Sequence, residues 1–335
     1  MADPWPEDLR PLFGPAVTAE FAGLTRAGAP VTVPTTPYVG AGTLDLSTGL
    51  TYPAKAERAR RDPRVCLLFA DPDGTGLVDP PVACVQGLAT VRDADLQANT
   101  DRYVRLAGAK LPDATKGQPR FVLRRMAWYY ARIWVEVTPL VVRTWTDRSL
   151  ADGPTVWRAP ADTVAPPSDP APDGAAPPPW LAPPDDWSTT AAFALGHLHR
   201  CDLTVTDADG WPLCLPAASA ADHPDGFALT FGPGAPAWAG GPACVTFHDH
   251  PVPFTGQRNR TFLGRVDPAG AGGGSVVVRV DRALADWSLA GNRAQVALGF
   301  LGKGRRLRPR LRSEARRRGQ PVPKVRFPED RRDEG

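Results

Sequence analysis

The chain has little of what would mark a secreted, membrane-bound or disulfide-framed protein. Only five of its 335 residues are cysteine. Cys66, Cys84, Cys201, Cys214 and Cys244 stand singly inside apolar, strand-like runs. With no CxxC pair and an odd total, buried reduced thiols are expected. The polar, proline-containing start, Met1 to Asp8, lacks a basic segment followed by an apolar one, so secretion is not indicated. No apolar run approaches the roughly 20 residues that cross a bilayer, and the expectation is a cytoplasmic protein with no membrane partner. A net charge of +3 carries no global nucleic-acid signature, although the C-terminus is strongly basic.

Proline and glycine, by contrast, number 39 and 32, and their placement repeats. Gly28-Ala29-Pro30-Val31-Thr32-Val33-Pro34 matches Gly210-Trp211-Pro212-Leu213-Cys214-Leu215-Pro216. Each follows a short β-compatible run, Phe21 to Thr25 or Leu203 to Thr206. Each therefore reads as strand, tight turn at Gly, and second strand ended by Pro. Further landmarks keep the same order. Gly42 to Ser47 is echoed by Gly226 to Phe231, Pro63 to Phe69 by Pro242 to Phe247, and Val85 to Val91 by Thr261 to Val266. Each copy closes near a tryptophan, Trp145 or Trp287. A degenerate tandem duplication is expected.

Between Ala151 and Asp186 the sequence turns to Pro, Ala and Asp, which excludes a helix or a central strand and predicts an extended linker. The expected organisation is a first β unit over 1–150, a linker over 151–187, a second unit over 188–300 and a basic tail over 301–335. Inside the first unit, Ala54 to Arg61 predicts a short helix stopped by Asp62-Pro63. A longer helix is expected from Asp93 or Ala94 to about Gly108, with Asp93 as its cap. Another is expected from Pro119 to about Tyr130, leading into the alternating strand Ile133 to Val137. The remaining short strands favour a barrel.

Thr43-Leu44-Asp45-Leu46-Ser47-Thr48, then Lys55, Arg58, Arg60 and Arg61, then Asp62-Pro63-Arg64-Val65 resemble the FMN-binding split β-barrel superfamily of pyridoxamine 5'-phosphate oxidase-like and flavin/deazaflavin oxidoreductase proteins. The match covers residues 20–145, and the second unit shares only the strand skeleton. The resemblance implies a mainly β fold with short helices: two tandem split β-barrels forming an intramolecular pseudo-dimer. It also implies FMN, or alternatively coenzyme F420, as cofactor for hydride transfer with a small organic substrate. Ser47, Thr48 and Lys55 would then contact the cofactor phosphate, with Arg58 or Arg61 as a second cation. The strand Val31, Thr32, Val33 would run along the isoalloxazine ring and offer it backbone groups. Hydroxyls at a strand end, a lysine and the unpaired amides of a helix start are the groups that bind a phosphate. The alternative is that Lys55, Arg58 and Arg61 form the solvated face of a surface helix. Glu57, which stands where the family has Asn, is expected to face solvent.

No catalytic acid or base is named, because the cofactor carries the electrons. Tyr38, Trp134 and Trp145 are candidates for pocket walls or for core packing. In the second unit Pro236 to Gly241 replaces the lysine helix, so one competent and one decayed site are expected, in a monomer or a homodimer. His197, His199 and His223 fit no ligand motif. His248-Asp249-His250 turns two imidazoles to one side of a strand, and haem is the less favoured cofactor; no metal site is expected. Gln257-Arg258-Asn259-Arg260 is placed to reach the cofactor across the internal interface. The arginines between Lys303 and Arg318 read as a packed surface helix, a nucleic-acid contact or a surface for an acidic cofactor tail. A non-catalytic flavin- or haem-binding protein is the alternative function.

Overall fold

A computed structural model describes residues 5–179, 181–238, 240–267, 274–285 and 293–328, with side chains of the last segment from Lys303 onward. Its first sheet contains β1 (Ala19–Leu24), β2 (Pro30–Thr35), β3 (Tyr38–Val39), β4 (Leu44–Gly49), β5 (Arg64–Phe69), β6 (Val82–Arg92) and β7 (Arg132–Trp145), with β8 (Thr155–Arg158) added beside β7. The second contains β9 (Arg200–Thr206), β10 (Pro212–Pro216), β11 (Ser219–His223), β12 (Gly226–Phe231), β13 (Gly241–Asp249), β14 (Arg258–Val266) and β15 (Gly274–Ala283). The orders are β2-β1-β5-β6-β7-β4-β3 and β10-β9-β13-β14-β15-β12-β11, so every strand of the first sheet except β8 has a counterpart at the same place in the second. The chain is two tandem split barrels forming an internal pseudo-dimer. Trp287 lies outside the described residues.

The repeated Gly-x-Pro punctuation builds the same turn twice. Gly28 and Gly210 have φ of 74° and 76°, conformations that side chains disfavour. In the first turn the Thr25 amide donates to Ala29 O and the Ala29 amide to Thr25 Oγ1; in the second, Asp207 and Trp211 do the same through Asp207 Oδ1. Each turn delivers an edge strand, β2 or β10, with proline at both ends. Pro30, Thr32 and Pro34 alternate on β2 as Pro212, Cys214 and Pro216 do on β10, so the outer edges present few amides.

Each edge strand is covered by the other barrel, β2 by β9, β13 and β14, and β10 by β1, β5 and β6. The Thr32 amide donates to Cys244 Sγ at 3.3 Å and its hydroxyl meets that of Thr204 at 2.6 Å. Reciprocally, the Cys214 amide is paired with the sulfurs of Cys66 and Cys84. All five cysteines are buried and free, as the sequence predicts. A bulge recurs too: Gly87 in β6 and Gly264 in β14 each sit at a register shift. A Cβ there would come within 2.4 Å of Thr138 O or 1.9 Å of Arg279 O, so both positions require glycine.

The helices are α1 (Arg10–Phe13), α2 (Ala54–Arg61), α3 (Leu96–Lys110), α4 (Arg120–Arg124), α5 (Ala127–Tyr130), α6 (Trp187–His197) and α7 (Arg293–Arg317). The span of α2 is the one the sequence predicts. The cap of α3 is a correction: Asp95, not Asp93, accepts from the Ala98 amide. The segment expected to be helical over 119–130 is two short helices. Between β12 and β13 no helix occurs among the described residues.

The proline-rich stretch lies on the first barrel. β8 pairs with β7, and the Asp169 carboxylate accepts the amides of Asp93 and Ala94 ahead of α3. The basic C-terminal segment also packs there, through buried Leu307, Leu311 and Ala315 on α7. Arg318 joins Asp93 at 2.8 Å and Glu314 at 2.6 Å, with its side chain 3% exposed. Glu57, expected in solvent, is half-buried and ion-paired with Arg317 and Arg318, because α7 covers that face of α2.

Two substitutions test this packing. Arg318→Met leaves Asp93 to Arg60 and Glu314 to Arg317 alone, and the lost charge-assisted bonds are expected to cost about 1–3 kcal/mol, read by chemical denaturation. At Gly232 a Cβ would lie 1.9 Å from Ser149 O and 2.5 Å from Leu150 O. Gly232→Ala is expected to cost about 1–3 kcal/mol by the same measurement, because backbone must move.

Candidate functional site

The cations of α2 have separate fates. Arg60 bonds Asp93 at 2.6 Å and the Asp169 carbonyl, and Arg61 donates to Leu24 O at 3.1 Å. Lys55 and Arg58, partly buried, have no ion-pair partner among the described residues. The Lys55 ammonium lies 5.9 Å from the centre of the Phe21 ring. Burial, then the charges of Arg132 and Arg58, push its pKa down to about 7. Burial likewise pushes Arg58 down to about 10, with Arg61 adding to the repulsion.

Arg132, at the head of β7, is the third member of this group and was missed in the sequence, where it reads as the polar residue before an apolar alternation. It pairs with Gly49 in β4, next to the Ser47-Thr48 strand end. Its guanidinium packs on Tyr103 at 3.9 Å and Tyr129 at 4.9 Å, and its Nε is buried without a hydrogen-bond partner. Three cations therefore converge with no carboxylate among the described residues to neutralise them, an arrangement suited to an anion.

Alternation separates the two predicted hydroxyls. Ser47 lies opposite Trp134 and shares its face with Gly49 and Arg132, while Thr48 points the other way with Leu46. The Thr48 hydroxyl donates to Tyr52 O at 2.9 Å. Ser47 is thus on the Arg132 side and Thr48 is not. Asp45, on the Ser47 face, holds Arg102 and accepts from Trp134 Nε1 at 3.2 Å. Tyr38 stacks on Trp134 at 5.3 Å, and Trp145 donates to Gly234 O in the second barrel. Of the predicted wall residues, Tyr38 and Trp134 are packed on the Ser47 face beneath Arg102 of α3, and Trp145 packs between the barrels.

β2 carries Val31 and Val33 beside Thr32, whose amide and carbonyl are both met by the second barrel, at Cys244 Sγ and by the Thr246 hydroxyl at 3.4 Å. Arg58 is close enough to Cys244 for the thiol to affect its pKa, which puts the cation group beside this contact. β14 also packs on β2, and there Arg258 pairs with Asp249 at 3.1 Å while Arg260 covers Phe193 at 4.5 Å.

The second-unit histidines divide. His197 stacks on Phe193. His248 and His250 are buried at the junction of the barrels. His248 Nε2 lies 2.8 Å from Glu20 Oε1 and 3.2 Å from Asp202 Oδ2, and His250 Nε2 lies 3.0 Å from Asp71 Oδ2. Burial lowers the His248 pKa, but Glu20 and Asp202 outweigh it and hold it at about 10. Arg200 joins Asp71 at 2.9 Å and Asp73 at 2.7 Å. A cavity of about 220 Å³ beside this network is lined by Phe69, Asp71, Pro81, Asp147 and Arg148, among others.

No family model and no curated protein matches the chain. Solved structures similar to it include a putative pyridoxamine 5'-phosphate oxidase from Listeria innocua, 16% identical, covering 42% of this chain and 98% of that one with a TM-score of 0.30. An F420 reductase is 16% identical over 41% of this chain and 98% of its own, with a TM-score of 0.32. General stress protein 26 from Bacillus anthracis is 15% identical over 44% and 92%, with a TM-score of 0.27. Function is therefore read from this chain's own residues. No helix among the described residues is long and apolar enough to cross a membrane.

The lowered pKa of Lys55 has a measurable consequence. The folded protein disfavours the charged lysine, so its protonation costs stability at every pH below the unfolded value of 10.5, and most fully below about 7. Lys55→Met is expected to raise the melting temperature of the ligand-free protein by a few degrees at pH 7, with the gain fading toward pH 10.5. Thermal melts across that range check it.

Proposed function

We propose that the chain arose by internal duplication and binds a phosphorylated flavin-type cofactor, FMN or the deazaflavin coenzyme F420, at its first barrel. It then acts as an oxidoreductase on a small organic substrate. The observation that carries this reading is the convergence of Lys55, Arg58 and Arg132 without a neutralising carboxylate among the described residues. A phosphate supplies the missing charge, and the unpaired Arg132 Nε supplies a donor for it. Ser47 stands on the same face as Arg132. Bound there, the cofactor would supply hydride chemistry, while the protein fixes its phosphate and keeps water from the ring. β2, with Val31, Thr32 and Val33, and the facing strands β13 and β14 would form the wall toward the second barrel.

The acidic tail of F420 would find a surface on α7. Arg305, Arg308, Arg312 and Arg316 fall on one exposed face of the helix, opposite the buried Leu307 and Leu311. Arg310 on the same helix donates to Thr51 O at 2.6 Å, four residues before Lys55. This stripe favours the longer, more acidic cofactor.

A second reading, a split barrel that binds its ligand without turnover, has its own observation. The outward amide and carbonyl of Thr32 are engaged by Cys244 and Thr246, so β2 does not offer the ring the free backbone groups that the family resemblance implies.

Absorbance spectra after incubation with FMN or F420 and removal of free ligand decide whether a cofactor is retained. Reduction of the retained cofactor, coupled to a substrate panel, separates the two readings. Arg132→Gln and Lys55→Ala are each expected to weaken retention about tenfold or more, the loss of one charge-assisted contact. Affinity should also fall as pH rises above about 7, because Lys55 must then take up a proton to meet the phosphate; this slope should vanish in Lys55→Met. Unchanged affinity in both charge variants would remove the phosphate assignment.

A further inference from the structure

We propose that Glu20, Asp202 and His248 form a buried Zn²⁺ site that joins the two barrels. The three side chains come from β1 of the first sheet and from β9 and β13 of the second. Each is no more than 1% exposed, and their ligand atoms lie within 4.8 Å of one another.

The pairing registers show what kind of place this is. Ala22 faces both Thr32 and Cys66, and Thr204 faces both Cys214 and Cys244, so these sets are equivalent in the two barrels. Two residues earlier on each strand stand Glu20 and Asp202. The two carboxylates are therefore counterparts, brought together where the barrels meet. By the same register the counterpart of His248 is Ala70, so the pseudo-symmetric arrangement supplies one imidazole and not two. Two like charges at the centre of a pseudo-dimer need a cation between them.

Without metal the protonated His248 is the cation between the two carboxylates, but it leaves most of their oxygens unmet. His248 Nε2 is 2.8 Å and 3.2 Å from the two carboxylates, two acceptors that its single N–H cannot fully satisfy. All four carboxylate oxygens and His248 Nδ1 are buried without a hydrogen-bond partner. Arg148 stands 3.7 Å from Asp202 Oδ1 with its side chain 32% exposed. Oxygens from two carboxylates gathered around one ring nitrogen outnumber its single N–H and are close enough together to share a metal ion. One imidazole with two carboxylates is a donor set for a first-row divalent ion, whereas Mg²⁺ and Ca²⁺ favour oxygen alone. Zinc takes the place of the proton that Glu20 and Asp202 hold on His248, so binding releases one proton and the two carboxylate charges then balance the divalent cation. The cavity lined by Asp71 and Arg148 gives an approach, since Arg148 stands between that space and Asp202. The site is structural: it ties β1 of one barrel to β9 and β13 of the other.

Full-length protein treated with a chelator, dialysed against Zn²⁺ and passed through a desalting column should retain about one zinc per chain and melt at a higher temperature than the chelated form. Glu20→Gln and His248→Gln, which keep side-chain volume, should each lower retained zinc about tenfold or more, whereas His250→Gln should not. Should either variant fail to fold, Co²⁺ titration of the unaltered protein gives a second readout, visible absorption bands at one equivalent. Absence of retained zinc and of cobalt bands in the unaltered protein would overturn the site, and equal loss in His250→Gln would overturn the ligand set. Lys55→Ala should retain zinc, so failure of the cofactor reading and failure of this one are separable.

Discussion

Everything in this molecule depends on two sheet edges covering each other. A strand edge exposes unpaired amides and carbonyls, and β2 and β10 would each be such an edge in an isolated barrel. Proline removes the amide at two of every three outward positions, and the facing barrel meets the third, Thr32 by Cys244 and Cys214 by Cys66 and Cys84. The contact is reciprocal, so neither barrel is the scaffold for the other. The same contact brings Arg58 toward Cys244 and sets Glu20 against Asp202 and His248, so both charged clusters follow from it.

The fold was legible in the sequence wherever local chemistry decides the backbone. The Gly-x-Pro turns need a left-handed glycine, α2 is a run of helix formers stopped by Asp-Pro, and the linker is too rich in proline for a helix or a central strand, adding only the short β8 beside β7. Where the outcome depended on a distant partner, local reading failed. Asp93 looked like a helix cap but was claimed by Arg60 and Arg318, and the cap passed to Asp95. Glu57 looked solvated because nothing nearby in sequence announces that α7 returns to cover it.

The candidate site divides in the same way. Lys55 and Arg58 could be singled out from their place after a hydroxyl-bearing strand. Arg132 could not, because its role comes from pairing opposite Gly49, more than eighty positions away, and from the tyrosines of α3 and α5 around it. The alternation of β4 is visible in the sequence and already separates Ser47 from Thr48. The meeting of Glu20 with Asp202 needed the register of both sheets, which no single segment encodes.

The placement of α7 bears on how the chain is made. This helix and the residues after it are synthesised after both barrels, yet they pack on the earlier one: Leu307 and Leu311 enter its core, Gln320 accepts from the Leu96 amide, and Phe327 meets Tyr130. During translation the first barrel emerges early but stays open along α2 and α3 until α7 and the segment after it have left the ribosome, so it is completed only after the second barrel has been made.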